Sequence, residues 1–248
     1  MDGLIYTAIM TGAKHILEQQ ETTSHNLANA TSTGFRAQMD SFRAMPVQGE
    51  GLPTTTLVEN ATVGADFTPG PIQSTGRELD VAIQGKGWLA VSREDGSEGY
   101  TRNGSLRISE NGVLQTASGK PVLGDGGPIS IPPDVAISIS KDGTVSTVSN
   151  DTLPGAVNVL GRLKLVNPPE TNLVRGADGL FNTKDGSPAE IDADVNLVGG
   201  ALEGSNVNVV ETMVNMINLA RMFDTQMKLM QTAENNANKA SQILSLTS

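Results

Sequence analysis

Both ends of this chain carry the spacing of long amphipathic helices, while the stretch between them is Gly-rich, β-patterned and nearly free of helical signals. Stepping by seven from Val209 gives Val209, Met216, Phe223, Met230, Ala237 and Leu244, all apolar. The companion positions Met213, Ala220 and Met227 are apolar before Glu234 and Ser241 turn polar, and Ile217 lies beside them. This is the seam of a helix that packs lengthwise against another. Asn208 followed by Glu211 supplies a cap and a carboxylate three residues on, just beyond the breaker Gly204. At 1.5 Å per residue such a helix is roughly 60 Å long, more than the width of a body this size, so most of it must pack elsewhere. The alternative is a terminal helix folded back on its own domain. An Asn-rich opposite face (Asn215, Asn218, Asn235, Asn236, Asn238) with many Met and Ala residues suits adaptable helix contacts instead. The N-terminal end repeats the spacing through Tyr6, Ile9, Ala13, Ile16, Gln20, Thr23, Leu27 and Ala30, with Gln20 and Thr23 as polar interruptions. Alone it is marginal, because isolated helices draw most of their stability from a packed face.

The middle reads as a set of hairpins. Asp95-Gly96, Asn103-Gly104, Asn111-Gly112, Asp142-Gly143, Asp178-Gly179 and Asp185-Gly186 each offer the backbone freedom of a tight turn. Strand-like runs lie between them: Leu79 to Ile83, Trp88 to Val91, Val113 to Thr116, Ala136 to Ile139, Val157 to Val166 and Val195 to Leu202. Turn signals at this spacing predict an antiparallel all-β domain. Residues 46–70, with Pro46, Pro53, Pro69, Pro71 just beyond and the triplet Thr54 to Thr56, read as an extended connector. The expected architecture is therefore α+β: paired long N- and C-terminal helices, coiled-coil-like, with a central antiparallel all-β body. Its divisions are a discontinuous helical assembly domain (1–45 and 206–248), the connector (46–70) and the body (71–205).

Charge follows the same division. Residues 46–205 hold 20 acidic against 11 basic side chains, while both ends are near neutral, which favours close lateral packing of many copies. An acidic body without a basic stripe argues against nucleic-acid binding. No cysteine is present, so disulfides and thiolate metal sites are excluded. No apolar run approaches the ~18 residues of a membrane span. A basic region followed by an apolar core is missing from the start, so a cleaved secretory signal is not expected.

Catalytic constellations fail one by one. His15 and His25 lie ten apart, not at the four-residue step that puts two ligands on one helical face. Ser24 adjoins His25 without a nucleophile elbow. Gly85-Lys86-Gly87 lacks the rest of a phosphate loop. Asp192 and Asp194 lack the Gly and distal Glu of a calcium loop. No catalytic residue, cofactor site, metal site or small-molecule substrate is expected.

The segment Ser24-His25-Asn26-Leu27-Ala28-Asn29-Ala30-Thr31-Ser32-Thr33-Gly34-Phe35-Arg36 resembles the N-terminal signature of bacterial flagellar rod and hook proteins. Asn29 and Thr33 suit a helix end and a turn, Gly34 suits a backbone other residues resist, and Phe35 suits an anchor. Leu79 to Trp88, Tyr100 to Gly104, Gly119 to Gly124 and Gly204 to Asn208 are similar to further family segments, in order, over nearly the whole chain. Phe35 to Gln38 and Gly161 to Leu165 look most like the proximal-rod members; distal-rod or hook-type members are the runner-up.

The resemblance implies a structural subunit of the flagellar basal-body rod, exported through the flagellar type III apparatus and polymerising in the periplasm into a helical drive shaft. Its terminal helices would form a D0-type inner tube, with the β body outside. Its partners would be itself and other proximal and distal rod proteins. The assembly residues expected from seam and motif are Ile9, Ile16, Asn26, Leu27, Asn29, Thr33, Gly34, Phe35, Val209, Met213, Met216, Ile217, Ala220, Phe223, Met227, Met230 and Leu244. Other classes remain as alternatives: a secreted coiled-coil adaptor, or an enzyme using Asp192 with Glu190.

Overall fold

The computed structural model describes residues 2–46, 56–133, 135–149 and 157–246, with side chains described over a narrower set. The chain divides into two compact units, one of residues 1–30, 38–65 and 207–248, the other of residues 31–37 and 66–206.

The first unit contains the helices α1 (Asp2–Ala28) and α2 (Val209–Leu246) and one hairpin, β1 (Gln38–Pro46) with β2 (Thr56–Ala65). The expectation of paired long helices is corrected here. The two helices are unequal, 27 residues against 38, or about 40 Å against about 57 Å, and the N-terminal arm is not helical to residue 45. Its helix stops at Ala28 because the next residues favour turns. The Asn29 amide turns back to donate to the His25 carbonyl at 3.0 Å, and Gly34 adopts a φ of +68°. Residues 38–46 then pair antiparallel with a Thr- and Val-rich strand, with a register shift between Ser41 and Phe42. Asn26 ties helix to hairpin by imitating a strand neighbour: its Nδ2 donates to the Gln38 carbonyl at 2.9 Å, and its Oδ1 accepts from the Gln38 N–H at 2.8 Å. Thr22 Oγ1 donates to Asp40 one turn earlier. Of the expected connector, residues 47–55, including Pro53, Thr54 and Thr55, lie outside the described residues.

The second unit is the multi-strand antiparallel body. Its largest sheet has five strands in the order Leu165–Val166, Trp88–Ser92, Glu98–Thr101, Phe181–Thr183, Leu173–Arg175. A three-stranded sheet follows the chain through Val135–Ile139, Thr144–Ser149 and Val157–Arg162. Shorter pairs join Asn196–Gly199 to Val81–Gln84, Ala201–Glu203 to Ile72–Ser74, and Leu106–Ile108 to Leu114–Thr116. Inward residues of these strands, among them Val81, Leu89, Val91, Leu114, Val145 and Leu165, form one apolar core. Burying each such side chain stabilises the body by about 1.5–3 kcal/mol.

Five of the six Gly turns have positive φ, at Gly96, Gly112, Gly143, Gly179 and Gly186. The exception is Gly104. Its Cα packs so near the Val81 carbonyl that a Cβ would lie 1.7 Å from that oxygen, so glycine is needed there for close approach and not for a hairpin turn.

Candidate assembly surfaces and the cluster that anchors them

The segment Thr31–Ala37 leaves α1 and enters the body as part of its core. Gly34 N–H donates to the Glu203 carbonyl at 2.7 Å, and a Cβ at Gly34 would come 2.3 Å from the Arg102 carbonyl carbon. Thr33 Oγ1 donates to Asn103 Oδ1 at 3.1 Å. Phe35 is buried, and the Arg175 guanidinium lies over its ring at 4.4 Å. These contacts place Thr33, Gly34 and Phe35 in the body.

Arg36 enters fully. Its side chain is 0% exposed, and Nη2 donates to Glu203 Oε1 at 2.6 Å. The other oxygen of Glu203, itself 1% exposed, accepts from Arg102 Nη1 at 3.0 Å, so one carboxylate bridges two buried guanidiniums. Arg102 donates further to the Ile83 and Gly85 carbonyls. Burial pulls the Arg102 guanidinium below its ordinary pKa, Glu203 opposes that, and Arg36 adds to it. Beside this cluster the Asn206 side chain clasps three strands of chain: its Oδ1 accepts from Ala37 N–H at 2.7 Å, and its Nδ2 donates to the carbonyls of Asp66 and Thr68. Glu203, Arg102, Asn206 and Arg175 were not among the expected site residues. The alternation of Ala201–Glu203 puts Glu203 on the same inward face as Ala201, which was the one available signal.

In the helical unit, α2 turns a clear stripe toward α1. Thr212, Met216, Phe223, Gln226, Met227, Met230 and Ala233 are half-buried, and Leu219 is buried at 9%. Gln226 Nε2 donates to the Ile9 carbonyl at 2.9 Å opposite Gly12. Ile16 is buried, and Ile9 and Leu27 are half-buried on α1. The helix is therefore rotated relative to the heptad count: Met216, Phe223, Met227 and Met230 face inward, but Met213, Ile217 and Ala220 face out, and Val209 is 36% exposed. The partners of the inner row are Thr212, Leu219 and Gln226. On the far side Val210 (71%), Met213, Val214 and Ile217 (54%) form a bare apolar patch over the first turns, and from Arg221 onward that face becomes polar. The side chains of Tyr6, Ala237 and Leu244 lie outside the described residues. Among the described residues no group of His, Cys, Asp or Glu is arranged to hold a metal ion, and no helix is long and apolar enough to cross a membrane.

The chain is similar to flagellar hook and basal-body rod proteins. Residues 82–147 match the flagellar hook protein FlgE/F/G D1 domain, and residues 198–243 match the flagellar basal body rod FlgEFG protein C-terminal family. The chain is 47% identical over 253 aligned residues to the flagellar basal-body rod protein FlgF of Escherichia coli (strain K12), covering 100% of each. It is 46% identical to FlgF of Salmonella typhimurium, again over 100% of each. The flagellar basal-body rod protein FlgG of Buchnera aphidicola subsp. Schizaphis graminum is 31% identical, over 89% of this chain and 92% of that one. The chain belongs to the FlgF family of flagellar basal-body rod proteins, structural subunits of the rod.

Proposed function

We propose that this chain polymerises in the proximal rod through its terminal helices, forming part of the helical shaft that carries motor torque to the hook and filament. The observation that carries the reading is the bare apolar patch Val210, Met213, Val214 and Ile217, on the face of α2 away from α1. Exposed apolar side chains gathered in this way gain about 25 cal/mol per Å² when a partner covers them. Neighbouring rod subunits are that partner. The inner stripe holds α2 to α1 within one chain, and the outer patch joins chains. Val209, Met213, Ile217 and Ala220 thus act between subunits, whereas Ile16, Met216, Phe223, Met227 and Met230 shape the helical unit that presents them. Asn26 and Asn29 fix the end of α1, and Thr33, Gly34 and Phe35 fasten the chain to the body.

The role is mechanical, not catalytic. Asp192 spends its carboxylate on the Asp194 N–H at 2.9 Å, a local turn bond that suits a structural position better than an active-site acid. The chain reaches the rod through the flagellar type III export apparatus. Ile217→Asp in cells is the test. Loss of swimming and of assembled rods, with the purified variant keeping its helicity and body melting, supports the reading. Swimming cells with intact basal bodies would overturn it. A secreted adaptor that closes as a small bundle predicts ring-like closed oligomers by electron microscopy in place of an open helical tube.

A further inference from the structure

Among the described residues Arg175 has no acidic partner. Its Nη1 donates to the Arg36 carbonyl at 2.9 Å, and its guanidinium lies against Phe35 at 4.4 Å and Phe181 at 5.7 Å. The nearby acid Asp178 is taken by Arg93 Nε at 2.7 Å and Lys120 Nζ at 3.2 Å. Among the described residues no carboxylate pairs with Arg175, although the second unit has 18 acidic side chains against 12 basic ones. Burial lowers its pKa with no charge offsetting the cost. A half-buried cation left without a counter-charge in an acidic body is the opposite of what the local composition favours.

The guanidinium borders a recess of about 180 Å³ whose walls include Ser32, Thr33, Lys120, Asn103 and Phe181. At about 30 Å³ per water that is room for a carboxylate and its remaining waters. Two aromatic rings hold the fork flat and, among the described residues, one of its N–H groups has a protein acceptor, so it is ready to bind a carboxylate through two parallel bonds. The chain also carries the complementary group. Glu78, Glu94, Glu110, Asp125 and Glu190 are exposed, and none makes an ion pair among the described residues.

We infer that the Arg175 recess is a socket for an acidic side chain of a second copy of this chain, adding a body-to-body charge contact to the helix contacts of the rod. This rests on the reading of the chain as a rod subunit. The cation and these acids do not pair within a single body among the described residues, but they can meet between copies. The contact fixes register more than it adds affinity, because the rim is wet and screened by salt.

The test compares the purified full chain with its Arg175→Gln and Arg175→Lys variants by sedimentation velocity and electron microscopy at low salt. Trp88 fluorescence during unfolding monitors the body. Wild type should associate, and Arg175→Gln should associate about 5- to 20-fold more weakly. Arg175→Lys should lie nearer Gln than wild type, since it keeps the charge and loses the fork. Because Arg175 also stacks on Phe35 and donates to the Arg36 carbonyl, each variant's own denaturant midpoint is measured and association is compared only where all three are folded. A second arm adds potassium acetate against potassium chloride at equal ionic strength: acetate should weaken association of wild type and leave Arg175→Gln unmoved. Equal association of all three proteins overturns the socket while the rod reading stands. Acetate raising the melting temperature of wild type without changing association identifies a free-anion site and overturns the second-copy occupant. A wild-type chain that stays monomeric at every concentration overturns both the socket and the assembly reading beneath it.

Discussion

Glu203 is the residue on which the body's connection to its N-terminal segment turns. It holds Arg36 and Arg102 at once, and among the described residues Arg36 Nε and Nη1 and Arg102 Nε have no hydrogen-bond partner. Such a cluster is weak evidence for net stability, yet removing its one anion leaves two guanidiniums facing each other without a counter-charge. Glu203→Gln should therefore destabilise the body by about 3–5 kcal/mol, read from the denaturant midpoint of the single tryptophan, Trp88. Asp178 makes a separate prediction. Burial acts to raise its pKa, but hydrogen bonds from Arg93, Lys120 and the Leu180 N–H together hold it below its ordinary 3.8. A depressed carboxylate contributes stability that is complete above 3.8 and is lost as pH falls through the lower folded value. Asp178→Asn should flatten the acid limb of stability below pH 3.8 and leave the neutral plateau nearly parallel to wild type. The string Thr33-Gly34-Phe35-Arg36 was legible as a motif, but its partner Glu203 lies 167 residues away, and nothing in one sequence joins them. Charge is normally read as surface, and here the largest fully buried side chains include Arg36 and Glu203.

The helices show how far periodicity carries and where it fails. Of the two rows that counting by sevens draws along α2, Met216, Phe223 and Met230 of the first and Met227 of the second are half-buried, while Met213 and Ala220 of the second are exposed. The count does not separate the two rows because both faces of the first turns are apolar, so composition alone does not say which face meets α1. Polar residues then occupy inward positions that no hydrophobic rule selects: Gln226 faces inward to reach the Ile9 carbonyl, beside Gly12. The start of α2 was better specified, since the Asn208 side chain accepts from the N–H groups of Val210 and Glu211. Asn208→Ala should cost about 1 kcal/mol, seen as a lower helix melting temperature by far-UV circular dichroism. The two faces of α2 should also separate by experiment. Phe223→Ala, which removes a half-buried ring from the α1 contact, should lower stability of the isolated chain by about 1–3 kcal/mol, less than for a fully buried Phe. Ile217→Ala should leave that stability within about 0.5 kcal/mol, as for an exposed site, and act on association instead. Equal loss of monomer stability from both would mean that the outer patch is an internal face.

At the scale of the molecule, the boundaries drawn from composition put residues 71–205 in the body and residues 1–45 in a helical arm. The contacts divide the chain differently. The body takes back Thr31–Ala37 and Asp66–Asn206, and the hairpin β1–β2 goes with the helices. Proline and glycine marked residues 46–70 as a connector, but β2 is read there only once its pairing with β1 is seen, because strand pairing across a loop leaves no local signature. The chain passes between the units four times, and the body side of three of these passages, at Ala37, Asp66 and Asn206, is gathered by the one Asn206 side chain. A body cut at residues 71 and 205 loses that clasp, the ring of Phe35 and the cation of Arg36 together, and it opens the face where Gly34 N–H meets the Glu203 carbonyl. A fragment of residues 71–205 should therefore unfold without a sharp transition. A fragment of residues 66–206 should regain cooperative unfolding when a peptide of residues 31–37 is added, and the same peptide carrying Arg36→Met should not restore it, since it leaves Glu203 with one cation in place of two. Cooperative melting of the 71–205 fragment at the temperature of the full chain would show that the N-terminal segment decorates the body instead of completing it. The expected outcome makes Thr31–Ala37 a structural part of the body, held there by buried charge and not appended to it as a loose linker.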